Sequence, residues 1–513
     1  MHPMKKFLSI FTLALLALAV RAALPQPDLI AQIHFAGGDK ISADKNYPAF
    51  ANEFSSAEAL ALRKQIADKL APWLAKNLNA AVPEGAAKLR PLLDDLQSAE
   101  WFLEARAAAD GKPDVALAIK LDPTHALLWQ TELKAFFPAA TFKQSGDWLV
   151  FNSSVGAQKL GDSLVQKISS TMTNWASVDV NWPRLAQWLP LARELQLPET
   201  ALNLSADATN LLVLGKFFFA ENLSLKLDAW RFPTNTVHLP FVSFTAVRGL
   251  AGWLKTQAWA QPFLVSPTQN QAFVWAMNGA ALQNYCILPV ANGADALREL
   301  NPKLQALVAE RNAHEGFLSP FHLRATNNEL SLVGPPMLAP YVKTVKEPNG
   351  DFLLVGGFPT TMRGKPAPPE LFERLATPGL LFYHWEITGE RFAGQNQFNQ
   401  LCLLLTRHKQ LNGEGAPYKW AAQFAPGLGS TVTEITQTAP DQMAFKRRAP
   451  GGLTAFEILA LANWLDAPDF PGAHLQLPPP SERMKQLRAR QQQQTPPRAI
   501  SFPAPGVVPP PPR

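Results

Sequence analysis

Ser163, in Gly161-Asp162-Ser163-Leu164, carries a hydroxyl that an adjacent base would turn into a nucleophile, and Asp122-Pro123-Thr124-His125 supplies a carboxylate and an imidazole at three-residue spacing. The Asp-His pair stands upstream of Ser163, and the residues around the serine read as a helix with Asp162 and Ser163 on its exposed side. His314-Glu315 with His322, and His384 with Glu386, have the donor types of a zinc site, which needs three or four ligands. Gly316 and Pro320 break any helical face shared by His314 and His322. His384 and Glu386, two apart in Tyr383-His384-Trp385-Glu386, share one side of a strand and read as a polar pair on a half-exposed sheet. Asp94-Asp95, Glu100 and Glu104 read as a solvated helix face. No Gly-x-Ser-x-Gly elbow, His-Glu-x-x-His helix, phosphate-binding loop or Gly-x-Gly-x-x-Gly turn occurs. The sequence therefore assigns no catalytic, cofactor-binding or metal-binding residue and implies no cofactor.

Aromatic content is the one compositional excess that speaks to a ligand, with 14 Trp against 5 Tyr. Trp182, Trp188, Trp230, Trp253, Trp259 and Trp275 crowd the middle of the chain. Trp253 and Trp259 lie six apart and are not expected to form one platform; core packing is the expected role of most of the set.

The elements that would position these groups begin with a leader. Lys5 and Lys6 precede an uncharged apolar run from Phe7 to Val20, and Val20-Arg21-Ala22 offers small residues for cleavage. The run is shorter than the ~20 residues of a spanning helix. No Cys follows it to accept a lipid, and no later stretch is long and apolar enough to span. This predicts a signal peptide over 1–22 and export to the periplasm or beyond. The chain's net charge of +6 sits at its ends: +3 falls in residues 1–22 and +5 in 471–513, leaving −2 for the body. Such a body lacks the basic surplus of a nucleic-acid-binding domain, so no nucleic-acid partner is expected. Cys286 and Cys402 lie in apolar runs, either as buried thiols or as a pair that an oxidising compartment would permit.

After a strand at 29–35, Ser55 and Glu58 form a capping box, and apolar residues at helical period from Ile66 to Leu74 and from Leu89 to Leu103 predict a helical hairpin over 55–109. From Asp114, strand-then-helix units recur: 115–121 with 127–136, 148–151 with 160–168, 178–180 with 185–195. Strands at 201–204, 211–219 and 223–230 come next. The second half repeats this layout with 286–290 and 294–308, 330–333 and 337–345, 380–387 and 392–404, then strands at 431–438 and 443–448. Residues 471–513 hold 12 of the 46 prolines and four consecutive glutamines, and read as an unfolded basic tail.

Gly146-Asp147-Trp148-Leu149-Val150 and Val242-Ser243-Phe244-Thr245-Ala246-Val247-Arg248-Gly249-Leu250, behind a leader, resemble large uncharacterised exported bacterial proteins across residues 24–470. That resemblance implies a compartment and no activity. Gly161-Asp162-Ser163-Leu164 also matches the nucleophile block of the hydrolase family named after those letters. That family places the serine after a buried first strand near the mature N-terminus and an Asp-x-x-His near the C-terminus, and this chain does neither.

The sequence thus predicts an α+β protein: a signal peptide (1–22), an N-terminal helical region (23–112), two duplicated lobes of stacked strand and helix units with antiparallel sheets (113–240 and 241–470), and a disordered tail (471–513). Its expected role is non-catalytic, in the cell envelope, binding a protein, a polymer, a lipid or another apolar ligand. The alternatives are an exported hydrolase whose site forms only in the fold and a structural component of a surface assembly.

Overall fold

Strand β1 (Leu29–Phe35) shows the alternation from which the rest is built: Ala31, Ile33 and Phe35 point to one side of the sheet, Gln32 and His34 to the other. The computed structural model describes residues 28–108, 113–168, 173–188, 197–277, 283–314, 321–334, 339–358, 364–406 and 415–472, without the side chains of 311, 313–314 and 398–406. The expected leader lies outside these residues, and of the expected tail only 471 and 472 lie within them.

After β1 come α1 (Gly38–Ser42), α2 (Pro48–Phe54), α3 (Ala57–Asn79), α4 (Gly85–Ser98), β2 (Trp101–Ala107), β3 (Pro113–Lys120), α5 (Pro123–Phe136), β4 (Thr141–Ser145), β5 (Trp148–Asn152), α6 (Gln158–Lys167), β6 (Ala176–Val180), α7 (Trp182–Leu185), β7 (Glu199–Ala206) and β8 (Leu211–Phe218). The chain continues through β9 (His238–Leu239), β10 (Phe241–Arg248), α8 (Ala251–Thr256), β11 (Gln271–Met277), β12 (Asn284–Val290), α9 (Gly293–His314), β13 (His322–Ala325), β14 (Glu329–Val333), β15 (Tyr341–Glu347) and β16 (Gly350–Gly356). It ends with β17 (Lys365–Pro366), α10 (Pro369–Leu375), β18 (Leu380–Ile387), α11 (Thr388–Thr406), α12 (Ala416–Phe424), β19 (Ser430–Ala439), β20 (Gln442–Ala449) and α13 (Ala455–Asp466).

Eighteen of the strands form one antiparallel sheet in the order β4-β5-β3-β2-β1-β6-β7-β8-β20-β19-β18-β10-β11-β12-β16-β15-β14-β13. β9 and β17 pair by themselves. Pairing follows one sequence on either side of the β8–β20 ladder. β1 joins β2 and β6, and β3 joins β5; likewise β10 joins β11 and β18, and β12 joins β16.

Antiparallel sheets tolerate water on one side, and here the two sides differ. The side carrying Ile33, Val178, Leu202, Val213 and Phe445 is packed with apolar groups from α1, α2 and α7, which we call the covered side. Farther out, α5 lies on Leu117, Ile119 and Leu149, and α9 on Val290, Leu330 and Leu353. Helices from opposite ends of the chain meet over this side: Leu62 of α3 packs with Leu465 of α13, Phe50 of α2 meets the Phe424 ring edge-on, and the Tyr47 hydroxyl donates to Pro450 O at 2.8 Å.

The chemistry of the covered side changes beneath α13. Arg447, on β20, donates to Thr433 Oγ1 at 2.8 Å and to both carboxylate oxygens of Glu457 at 2.8 and 3.1 Å, and each member of the ion pair is only 1% exposed. Glu457 also accepts from Thr454 N while Thr454 Oγ1 accepts from Glu457 N, so the same carboxylate caps α13 and neutralises the sheet.

Four readings of the sequence are corrected. The helical run expected through Leu103 stops at Ser98, because Trp101–Ala107 alternates and pairs with both β1 and β3. The cap of α3 is Ser56, whose Oγ accepts from Ala59 N, while Ser55 Oγ donates back to Ala51 O. Residues 341–345, expected in a helix, form part of β15, an alternating run that pairs with β16. Residues 223–230 form no strand ladder.

Arg447→Met should leave Glu457 as an unpaired buried charge and cost about 3–5 kcal/mol in guanidinium unfolding, with Arg447→Met/Glu457→Leu recovering much of it. A loss below about 1 kcal/mol, the size of a surface pair, would contradict this reading.

Candidate binding face

The opposite side of the sheet is covered only in part among the described residues. α6 lies over β2, β3 and β5 with Leu164 against Phe102, Ala116, Ala118 and Val150. α10 lies over β10 and β18 with Leu371 and Leu375 against Phe244 and Tyr383. Between these helices the register aligns Ser177, Asn203, Leu214, Lys446 and Glu434 across β6, β7, β8, β20 and β19. Five strands at ~4.8 Å spacing make a floor about 20 Å wide. Leu214 is 44% exposed at its centre. Lys446 and Arg448 are exposed beside it, and Lys216 stands half-buried in the next row. Acidic groups sit toward the rim: Asp207 pairs with Arg448 at 3.2 Å, and Glu434 faces Arg374 of α10 at 3.9 Å.

Beside α6 the floor becomes a buried ionic network. Register sets Glu104, Gln32 and Asp179 side by side on β2, β1 and β6. Lys167, from the last turn of α6, donates to Glu104 Oε2 at 2.6 Å and to Gln32 Oε1 at 3.0 Å. Arg106 bonds the other Glu104 oxygen at 2.7 Å and Asp28 at 2.8 Å, and its bond holds the Asp28 carboxyl below the usual range. Asp179 is pushed up to about 7, first by burial and then by the charge of Glu199, with Lys167 acting against both. Burial raises Glu199 too, opposed by Arg184 and by a bond from Asn181 Nδ2 at 2.9 Å. A carboxyl poised near neutrality can take or give a proton, but the groups placed beside it here are two acids, an amide and cations rather than a nucleophile.

The residues singled out by sequence fall elsewhere. Ser163 sits half-buried on α6, where Asp162 is exposed and pairs with Lys143 at 2.9 Å. Gly161 is needed for packing, since a Cβ there would come within 2.2 Å of Asn152 Oδ1. Asp122 caps α5 by accepting from Thr124 N and His125 N, and the His125 ring turns away to Asp95 at 2.8 Å.

The expected solvated acidic face is overturned. Asp95 is buried between His125 and Trp129, and Glu104 is fully buried; Glu100 lies 3.0 Å from His34, and only Asp94 stays exposed, paired with Arg90. His384 and Glu386 do pair, at 3.2 Å, but under α13 rather than on a half-exposed face. Burial pushes the Glu386 carboxyl up, yet bonds from His384, Ala455 N and Thr388 outweigh it and hold it below its ordinary value. His322 is exposed on β13, whereas the side chain of His314 and all of Glu315 lie outside the described residues. Cys286 is a free thiol that enclosure pushes up to about 12; the side chain of Cys402 lies outside the described residues.

Of the tryptophans, Trp275 is core, Trp182 and Trp188 line the covered side, and Trp230 packs by Phe273 under the Arg248 guanidinium. Trp253 and Trp259, not expected to form one platform, are in ring contact at 5.9 Å but meet at 67°, nearly edge to face.

Sequence reasoning passed over Lys216, Lys446, Arg448, Asp179 and Lys167. Lys446-Arg447-Arg448 shows no apolar alternation in sequence, and Arg447 is buried while its neighbours are exposed because helices distant in sequence decide which side of β20 stays open.

Among the described residues no cluster of three or more His, Cys, Asp or Glu could hold a metal ion, and no helix is long and apolar enough to cross a membrane. Compared with protein-family models, with curated proteins and with solved structures, the chain matches none of them.

The raised Asp179 pKa carries a sign. The folded state binds the proton more tightly than the unfolded chain, so this group's contribution is complete below about pH 4 and is lost as pH rises to about 7. Asp179→Asn should flatten that part of the stability profile in urea unfolding. Parallel profiles for variant and wild type between pH 4 and 7 would contradict the assignment.

Proposed function

We propose that this chain is exported by its N-terminal leader and works in the periplasm or outside the cell as a non-catalytic binding protein, with the open centre of the sheet as its receiving face. The observation that carries the reading is an exposed leucine, Leu214, set among Lys446, Arg448 and Lys216 on a floor flanked by α6 and α10. An apolar centre ringed by charge is the usual anatomy of a protein-binding patch, and three cations on adjacent β8 and β20 favour an acidic protein or envelope polymer. The floor is made of backbone ladders, so it is preformed and loses little order on binding.

We further infer that the chain is an internal duplication, with β1–β8 and β10–β20 as its two copies. The repeated pairing order and the equivalent positions of α5 with α9 and α6 with α10 support this. The receiving face then lies where the copies join, and both contribute to it.

Purified from the native envelope fraction, the wild type should carry a stoichiometric companion by mass spectrometry. Leu214→Arg/Lys446→Glu should reduce that companion about tenfold or more, as loss of a central anchor does, while leaving the unfolding midpoint unchanged. Recovery of the same companion by the double variant, or a wild type that comes away with nothing bound, would overturn the reading.

A further inference from the structure

The chain leaves the sheet after Arg248 and returns at Gln271, its partner across the β10–β11 ladder. Residues 249–270 contain no Asp or Glu and one cation, Lys255. Their underside is fixed. Val265 is buried against Leu297 and Leu300 of α9, Lys303 donates to Leu264 O at 2.7 Å, Glu299 accepts from Ser266 N at 2.8 Å, and Asn270 Oδ1 accepts from Ala251 N at 3.2 Å. The outer surface is aromatic: Trp253 on α8 is 37% exposed and Phe263, in the turn Gln261–Phe263, is 50% exposed, with Trp259 against Trp253. A rigid base that holds large aromatics toward water gives up burial that a smaller residue would not forfeit, which marks such a patch as a contact surface.

The chemistry selects among partners. The two indoles meet at 67°, nearly edge to face, and so offer no common plane on which successive sugar rings could stack. A bilayer interface makes no such demand: Trp sits at the headgroup boundary with its apolar ring buried and its N–H wet, and Phe accompanies it on the apolar side, without the rings sharing a plane. Charge agrees: the segment has no carboxylate to repel phosphate, Lys255 is exposed on α8, and the largely exposed Lys226 stands at the base, where its backbone carbonyl accepts from Asn270 Nδ2 at 2.7 Å. Asp228 lies 3.5 Å from Lys226 and offsets part of that charge.

We propose that residues 249–270 are a peripheral docking site for a membrane surface bearing anionic lipids, with Trp253, Trp259 and Phe263 entering the headgroup boundary and Lys255 meeting phosphate. The site rests on α9 over the covered side, so it stands independently of the open-face reading.

The test is co-sedimentation of the full chain with vesicles of phosphatidylcholine alone and of phosphatidylcholine mixed with phosphatidylglycerol. Binding is expected to the mixed vesicles and more weakly to the neutral ones. Trp253→Ala/Phe263→Ala should weaken both by about tenfold or more, Lys255→Glu only the anionic case, and Trp253→Phe neither. All three positions are exposed, so unchanged unfolding midpoints verify the fold. No sedimentation with either vesicle, undiminished sedimentation of the double variant, or retention by an insoluble glycan in place of vesicles would overturn the proposal.

Discussion

The antiparallel ladder between β8 and β20 is the constraint on which the rest depends. It joins Leu211–Phe218 to Gln442–Ala449 along their whole lengths, and with it the strands from the first half of the chain to those from the second. Close approach is built into it: a Cβ on Gly215 would come within 2.2 Å of the Leu202 Cδ2 methyl, so glycine lets the Leu202 side chain pack down onto β8. The ladder also carries Arg447, whose pairing with Glu457 fixes α13 to the sheet. A charge enclosed to that degree adds little net stability, but it penalises any register in which the guanidinium and carboxylate fail to meet.

Once the two halves share a sheet, its sides diverge. Helices from both ends of the chain converge on one side and fill it, from Phe50 and Leu62 to Phe424 and Leu465. Among the described residues the other side is roofed by α6, by α10 and by the segment around Trp230, Phe232 and Val237, and each of the two helices carries near its end a cation, Lys167 or Arg374, that reaches an acid on the sheet. The floor between them must stay compatible with water, which accounts for the charged residues opposite the apolar ones on β8 and β20. Two surfaces with different chemistry result, a mixed-charge floor at the centre and an aromatic loop over α9.

Local pattern was legible in the sequence wherever one residue type repeats at one period. The α+β class, the helices about 127–136 and 294–308, and the strands at 211–219 and 443–448 all follow from apolar spacing, with the second of these helices running on to His314 and the first of these strands ending at Phe218. What stayed hidden was whatever depends on partners distant in the chain. Leu103 sits at helical spacing from Leu96, yet its strand is claimed by pairing on both edges. Glu104 and Asp95 look like surface acids until Lys167, His125 and Trp129 arrive from other elements, with Arg106 beside Glu104 on its own strand. Trp253 and Trp259 meet because the chain turns between them, which spacing along one helix does not describe. The candidate face was illegible for the same reason, since Leu214 and Lys446 are neighbours only through the β8–β20 ladder.

That ladder is also where the account is most directly testable. Native-state hydrogen–deuterium exchange, resolved to peptides covering 211–218 and 442–449, compares the seam with ladders inside each half, such as β7–β8 and β10–β11. If one continuous sheet underlies the receiving face, seam amides should be protected as strongly as those within the halves and should open together with them in the cooperative transition. Rapid exchange confined to the seam, with the flanking ladders still protected, would mean two separately stable units in loose contact and would contradict the account.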